Sequence, residues 1–399
     1  MRFSGFDDEW VSYKIGDISK TYSGGTPSTS KREYYEGNIP FIKSGEIGNE
    51  VTEQYINEEA INNSSAKKVQ KGDLLLALYG ATSGEVAISK IDGAINQAVL
   101  KIDNKMNNYF QYNYFVKYKD QIIHKYLQGG QGNLSANIIK KLEFYYPNLE
   151  EQQKISNYLL LIDNKIELLE KKHHEYQNFK KYLMQQIFAQ KLRFDFDEIR
   201  LKSISKINKG KQLNKEHMLE LGKFYVLNGG QEPSGYTDSW NTSENTITIS
   251  EGGNSCGFVN FNTEKFWSGG HCYYLNKLSE NIDVYYLYSY LKFIEPQIMR
   301  LRVGSGLPNI QKGDIENIKI KILPKKEQIK ISNLLLSTDN KISSIESQKD
   351  SFEIFKKGLL QQMFVVRINW RCNFKLAKSP SFNKHLLILK NKIIFIIIE

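Results

Sequence analysis

Apolar residues recur in steps of four and three from residue 155: Ile155, Leu159, Ile162, Ile166 and Leu169, followed at the same spacing by His173 and Tyr176. That spacing is the seam of a long amphipathic helix. Lys180 interrupts it, and Leu183 and Ile187 resume it. The pattern returns as Ile331, Leu335, Thr338, Ile342 and Ile345, passes through Lys349 and Phe352, and resumes at Leu359 and Met363. Residues 151–188 and 327–364 align at a fixed offset of 176 and share 20 of 38 residues without a gap, so the helix is duplicated. Asn148 followed by Glu151, just after Pro147, predicts a capping box at the first copy's start. Each helix is expected to run about 40 residues, roughly 60 Å. Neither can bury its seam alone. The two copies are expected to pair with each other, antiparallel across the long domain between them, with His173 and Lys349 setting register. His173 and His174 are chain neighbours and share no helix face for a metal.

Before each helix lies a segment of short β-type runs that end in glycine turns. Residues 38–45 and 72–80 carry them in the first segment, residues 222–230 and 245–252 in the second. A later glycine loop (128–135, and 303–309) leads in each case into a β-like run, 142–147 or 318–324. Gly129, Gly130, Gly304 and Gly306 are read as turn formers. The predicted fold class is α+β: two globular α/β domains separated by two long helices paired as an antiparallel coiled coil. The order of features is shared while the residues differ, as in a scaffold that carries two different readers. Two unrelated binding modules on a rigid spacer would give the same pattern.

Composition narrows the partner. The chain has 399 residues, 40% of them apolar, enough for two or three cores. A net charge of +10 and a pI near 9.1 favour a polyanion such as nucleic acid or an anionic membrane surface. The 24 Tyr and 21 Phe suit nucleic-acid contact where they flank basic loops and core packing elsewhere. Cys256, Cys272 and Cys372 lie far apart, which indicates neither a disulfide framework nor a zinc site. The start MRFSGFDDEW lacks an apolar signal core, and no apolar run is long enough to span a bilayer, so a cytoplasmic location is expected.

Catalytic motifs are missing from the sequence. There is no Pro-Pro pair for an Asn/Asp-Pro-Pro-aromatic methyltransferase motif. Glu170-Lys171-Lys172 falls within the helix seam, with no preceding Pro-Asp for a nuclease. Gly210-Lys211 and Gly222-Lys223 lack phosphate-loop spacing, and Ser83-Gly84 and Ser305-Gly306 lack a nucleophile-elbow context.

The helix starts Pro147–Ile155 and Pro324–Ile331, the Phe-Lys-Lys…Gln-Gln…Phe words at 179–188 and 355–364, and the preceding glycine loops resemble the specificity (S) subunit of type I restriction–modification systems, from about Trp10 to Phe364. The resemblance implies a first target-recognition domain over 1–146 and a spacer helix over 147–192. It implies a second recognition domain over 193–323 and a second spacer helix over 324–365, with 366–399 left as an atypical tail. It further implies a non-catalytic subunit that reads the two halves of a split double-stranded DNA target. Two methyltransferase (M) subunits would dock on it, joined by restriction (R) subunits, with no membrane partner. No cofactor is expected in this chain; S-adenosylmethionine would belong to the M subunits. Candidate DNA contacts are Lys31, Arg32, Lys43, Tyr79, Gln131 and Asn133 in the first domain. In the second they are Lys209, Lys211, Gln212, Lys215, Gln231, Asn254, Arg300 and Arg302. Ile155, Leu159, Ile162, Ile166 and Leu169, with Ile331, Leu335, Ile342 and Ile345, are the candidate helix-pairing and subunit-docking positions. Two other readings stay open: a two-domain DNA-binding protein without a methyltransferase partner, and a coiled-coil linker whose ends bind protein.

After Phe364 the heptads stop, and the apolar end at Ile393–Ile398 has no counterpart after Phe188. The expectation is a read-through or rearranged 3′ end, with a weakly ordered natural extension as the alternative.

Overall fold

The computed structural model describes residues 2–127, 133–189, 197–304, 306 and 308–364. The predicted DNA contact Gln131 and the tail beyond Phe364 lie outside them.

Both long helices form, over Leu149–Phe188 and Lys325–Met363, 40 and 39 residues. Asn148 Oδ1 accepts from the Glu151 N–H at 2.9 Å, so the N-cap forms as predicted. The reciprocal half of the capping box does not. The buried Glu151 carboxylate instead takes two hydrogen bonds from the Arg2 guanidinium, at 2.9 and 2.6 Å. A bidentate charged pair outcompetes one backbone N–H. A second anchor recurs in both copies: the buried amides of Gln152 and Gln328 donate to Pro147 O and Leu323 O, at 2.8 and 2.7 Å.

The chain divides into two compact units that do not follow chain order. Unit 1 holds the residues up to Leu168 together with the described residues from Gln348 on; unit 2 holds Leu169–Ser347. Each unit therefore contains one globular domain, the early half of one long helix and the late half of the other. That is the chain order antiparallel pairing requires.

Within the units the same sheets are built twice. In unit 1 an antiparallel sheet has the order Ser19–Ser23, Val99–Asn104, Leu74–Ala77, Val86–Ile88. In unit 2 the order is Lys206–Lys209, Cys272–Asn276, Thr246–Ser250, Val259–Asn262. A smaller sheet centres on a parallel pair, Phe41↔Ala94 in unit 1 and Val226↔Trp267 in unit 2. Its fourth strand, Lys67–Val69, is replaced in unit 2 by an isolated bridge between Thr242 and Phe266. A two-stranded ribbon closes each domain, Val11–Lys14 on Glu143–Tyr146 and Asp197–Arg200 on Lys319–Ile322. Every β-type run expected from the sequence contains a strand.

The helix seams do more than meet each other. Ile155, Leu159, Ile162, Leu169, Ile331, Leu335 and Ile345 are buried, and Ile166 and Ile342 half-buried. In unit 2, however, Ile331 and Leu335 join Met184, Ile187 and Phe188 in one core with Tyr286, Leu287 and Leu291 of the helix Val284–Phe293. These seam positions share a core with residues of the other long helix and also complete the core of a globular domain. A small sheet has one apolar face to cover, and the helix ends supply that cover.

Candidate nucleic-acid interface

The two most strongly repeated words of the sequence bind each other crosswise. Asp163, in the first Asp-Asn-Lys-Ile, pairs with Lys356 of the second Phe-Lys-Lys at 2.6 Å. Asp339, in the second Asp-Asn-Lys-Ile, pairs with Lys180 of the first Phe-Lys-Lys at 2.6 Å. Each aspartate also accepts a hydrogen bond from a tyrosine of its own globular domain, Tyr109 onto Asp163 and Tyr285 onto Asp339. Burial raises both phenols above the usual tyrosine range, and the neighbouring carboxylate raises them further. The result is a clamp of Tyr, Asp and Lys in each unit, tying a globular domain to both long helices. Lys180, which breaks the predicted heptad, is there to reach Asp339. Sequence reasoning passed over the tyrosines, yet a signal existed: Tyr109, Tyr112 and Tyr114 stand 176 residues before Tyr285, Tyr288 and Tyr290.

Beyond the clamps each domain presents a loop frame. After its first sheet strand the chain runs over the end of the parallel pair, so closely that only glycine fits. A Cβ on Gly24 would collide with the Ile95 carbonyl, and one on Gly210 with the Gly269 carbonyl. In unit 1 this loop separates two clefts. One, of about 420 Å³, is lined by Arg32, Tyr35, Lys43, Gln54 and Asn96 among others. The other, of about 610 Å³, is lined by polar groups that include Asn63, Ser64, Ser65 and Gln97. A second loop follows the central strand. Its turns match bond for bond: Ser83 N–H to Gly80 O and Gly84 N–H to Ala77 O, against Cys256 N–H to Gly253 O and Gly257 N–H to Ser250 O. The paired glycines Gly80 and Gly253 have φ of 77° and 73°, and Gly84 and Gly257 of 82° and 89°, values that favour glycine.

The predicted contacts distribute over these frames. Arg32 and Lys43 line one cleft together, although Lys43 shares its charge with Glu53 at 3.7 Å. Lys31 is exposed but donates to Tyr34 Oη at 2.8 Å and lies over that ring. Tyr79 and Asn254 sit exposed on the matching glycine turns, and Asn133 is exposed. Lys211 and Gln212 lie on the loop after Gly210; Lys215, Gln231, Arg300 and Arg302 are exposed elsewhere in unit 2. Lys209 is committed to Glu251 at 2.6 Å. Burial pushes the Glu251 carboxyl upward, but hydrogen bonds from Lys209, Tyr273 and His271 outweigh that and hold it below the usual range. The amides of Gln54, Asn96 and Gln97 were missed because they are single residues at strand ends, without charge or motif. Among the described residues, no group of His, Cys, Asp and Glu is arranged to hold a metal. No helix there is long and apolar enough to cross a membrane.

Two domains of one design on duplicated helices define a class, and comparison with known proteins supplies its name. The profile described as "Type I restriction modification DNA specificity domain" matches residues 7–177 and again 194–353. The chain belongs to that family. Among its relatives is the type I restriction enzyme MjaIX specificity subunit of Methanocaldococcus jannaschii, 26% identical over 89% of this chain and 92% of the relative. The EcoR124I/EcoR124II specificity subunit of Escherichia coli is 27% identical over 45% and 49% of the two chains. In fold, the chain is similar to the crystal structure of the S subunit from M. genitalium, with a TM-score of 0.70 at 19% identity over 91% and 97% of the chains.

Proposed function

We propose that this chain is the DNA-reading, non-catalytic subunit of a type I restriction–modification enzyme. Each globular domain reads one half of a split double-stranded target. The observation that carries this reading is the paired construction: the glycine turn after the central strand is built twice with the same hydrogen bonds, and different exposed residues, Tyr79 and Asn254, stand on it. A common frame places the loops, while different side chains select different bases. The predicted contacts, from Arg32 and Lys43 in unit 1 to Arg300 and Arg302 in unit 2, supply phosphate and base-edge donors.

The long helices carry the partners. Leu160 and Leu336 occupy the same place in the two copies, and both are exposed, at 42% and 41%. An apolar residue left uncovered at a duplicated position suits two copies of one partner, here two M subunits. S-adenosylmethionine is bound by those subunits, and restriction subunits join through them.

The test is a genome-wide map of methylated bases in cells that make this chain with an M subunit. A split motif with methyladenine in both halves, lost on deletion of the chain, is the expected result. Exchanging residues 10–145 for those of another S subunit changes one half only. Methylation that does not depend on the chain rejects this function and favours a DNA binder without a methyltransferase.

A further inference from the structure

The loop that crosses the end of the parallel pair carries carboxamides in both domains, but from different chain positions. Sheet register sets the equivalence. Ser23 pairs with Leu100 where Lys209 pairs with Tyr273, and Ile42 pairs with Ile95 where Leu227 pairs with Ser268. Thr26 therefore corresponds to Gln212, Lys43 to Asn228, and Asn96-Gln97 to Gly269-Gly270. In unit 1 the amides stand on the central turn, and in unit 2 on its flanks.

The inner amide does the same work in both. Asn96 Oδ1 accepts from the Ala98 N–H at 3.0 Å. Asn228 Oδ1 accepts from the His271 N–H, the corresponding group, at 3.4 Å. A Cβ on Gly269 would overlap the Asn228 amide, so glycine makes the room. This amide shapes the turn.

The outer amide is different. Gln97 is exposed at the turn, with Thr26 donating to its Oε1 at 2.6 Å. Gln212 is exposed on the opposite side of the crossing; its Oε1 stands 2.5 Å from where a Cβ on Gly270 would fall, and its Nε2 donates to Leu213 O at 3.4 Å. Thr26 meets Gln97 in one domain, and Gln212 meets Gly270 in the other: the same two positions touch, with the amide on opposite members. Descent from a common ancestor does not by itself produce that exchange. A requirement for a carboxamide at this place does.

We infer that Gln97 and Gln212 are the base-reading side chains of the two domains, each offering its carboxamide to the N6–N7 edge of an adenine in the major groove. A carboxamide carries a donor and an acceptor side by side, the complement of that edge. The flanking polar cleft in unit 1 leaves Gln97 open to solvent and to a duplex. This inference rests on the DNA-reading function proposed above and names the residues that perform it.

The test is selection of bound sites from a random duplex pool by the full complex with M subunits, for the wild type and for Gln97→Ala, Gln97→Glu, Gln212→Ala and Gln212→Glu. Both glutamines are exposed, and binding is read directly, so reduced methylation does not obscure the result. The expected outcome is loss of preference at a single A·T pair, tenfold or more, in one half-site for Gln97 and in the other for Gln212. The glutamate variants, which accept but do not donate, move that position toward cytosine. An unchanged motif in both alanine variants overturns the inference, as does loss of an entire half-site at once, the mark of a loop prop. A wild-type complex that selects no split motif instead removes the DNA-reading function itself, and this inference with it.

Discussion

At the scale of single residues, the clamps explain why two words of the sequence occur twice. Asp163 and Asp339 are each held by a lysine and a tyrosine, and the Lys356 and Lys180 side chains are only 14% and 20% exposed. Replacing the carboxylate leaves a largely buried ammonium without its counter-charge. Asp163→Asn is expected to cost about 2 kcal/mol, and Asp339→Asn a similar amount. Calorimetry of the single and double variants checks this, and additive losses are expected because the two clamps share no residue. Lys117 gives a pH-dependent case. Its ammonium donates to Leu360 O and Gln361 O, at 2.9 and 3.2 Å, near the end of the second long helix. Burial lowers its pKa to about 8. Between pH 8 and the ordinary lysine value of 10.5 the unfolded chain binds more protons than the folded one. Lys117 therefore penalises folding below pH 8, and the penalty fades as pH rises. Relative to Lys117→Met, the wild type should gain melting temperature from pH 7.5 to about 9.5; a constant difference would contradict the assignment.

At the scale of elements, the helices divide their surface between three tasks. Their ends complete the domain cores: Phe188 packs on Tyr286 and Tyr290, as Phe364 packs on Phe110 and Tyr114, each partner 176 residues from its counterpart. Phe188→Ala and Phe364→Ala should each cost about 3–5 kcal/mol, seen as early unfolding of one unit by hydrogen exchange. Their clamps fix the domains. Their exposed leucines are the proposed docking points: Leu160→Asp with Leu336→Asp should leave the melting temperature within about 1 kcal/mol equivalent while co-purification with M subunits is lost. The periodicity of these helices was legible because a 3.6-residue repeat over 40 residues is a strong signal. Which seam position faces a neighbouring helix and which faces a sheet was not, because both surfaces demand the same apolar side chains.

At the scale of the whole molecule, the excess of positive charge makes an ionic prediction. Affinity of the full complex for duplex DNA should fall steeply and log-linearly with salt, by about a hundredfold or more between roughly 50 and 200 mM. A protein-binding linker would show no such slope. Periodicity, glycine turns and repeated words are local, so the duplicated helices, the α+β class and the strand runs were legible in the chain. The shared order of features in the two domains was legible too, but not their residue-by-residue match: the register offset shifts from 186 at Ser23 and Lys209 to 173 at Leu100 and Tyr273, so no ungapped comparison could align them. That each compact unit takes half of both helices, and that Asp163 meets Lys356, follows from the folded chain alone. Those are contacts between residues as far as 193 positions apart, and hydrogen-bond geometry across that separation leaves no periodic trace in the chain.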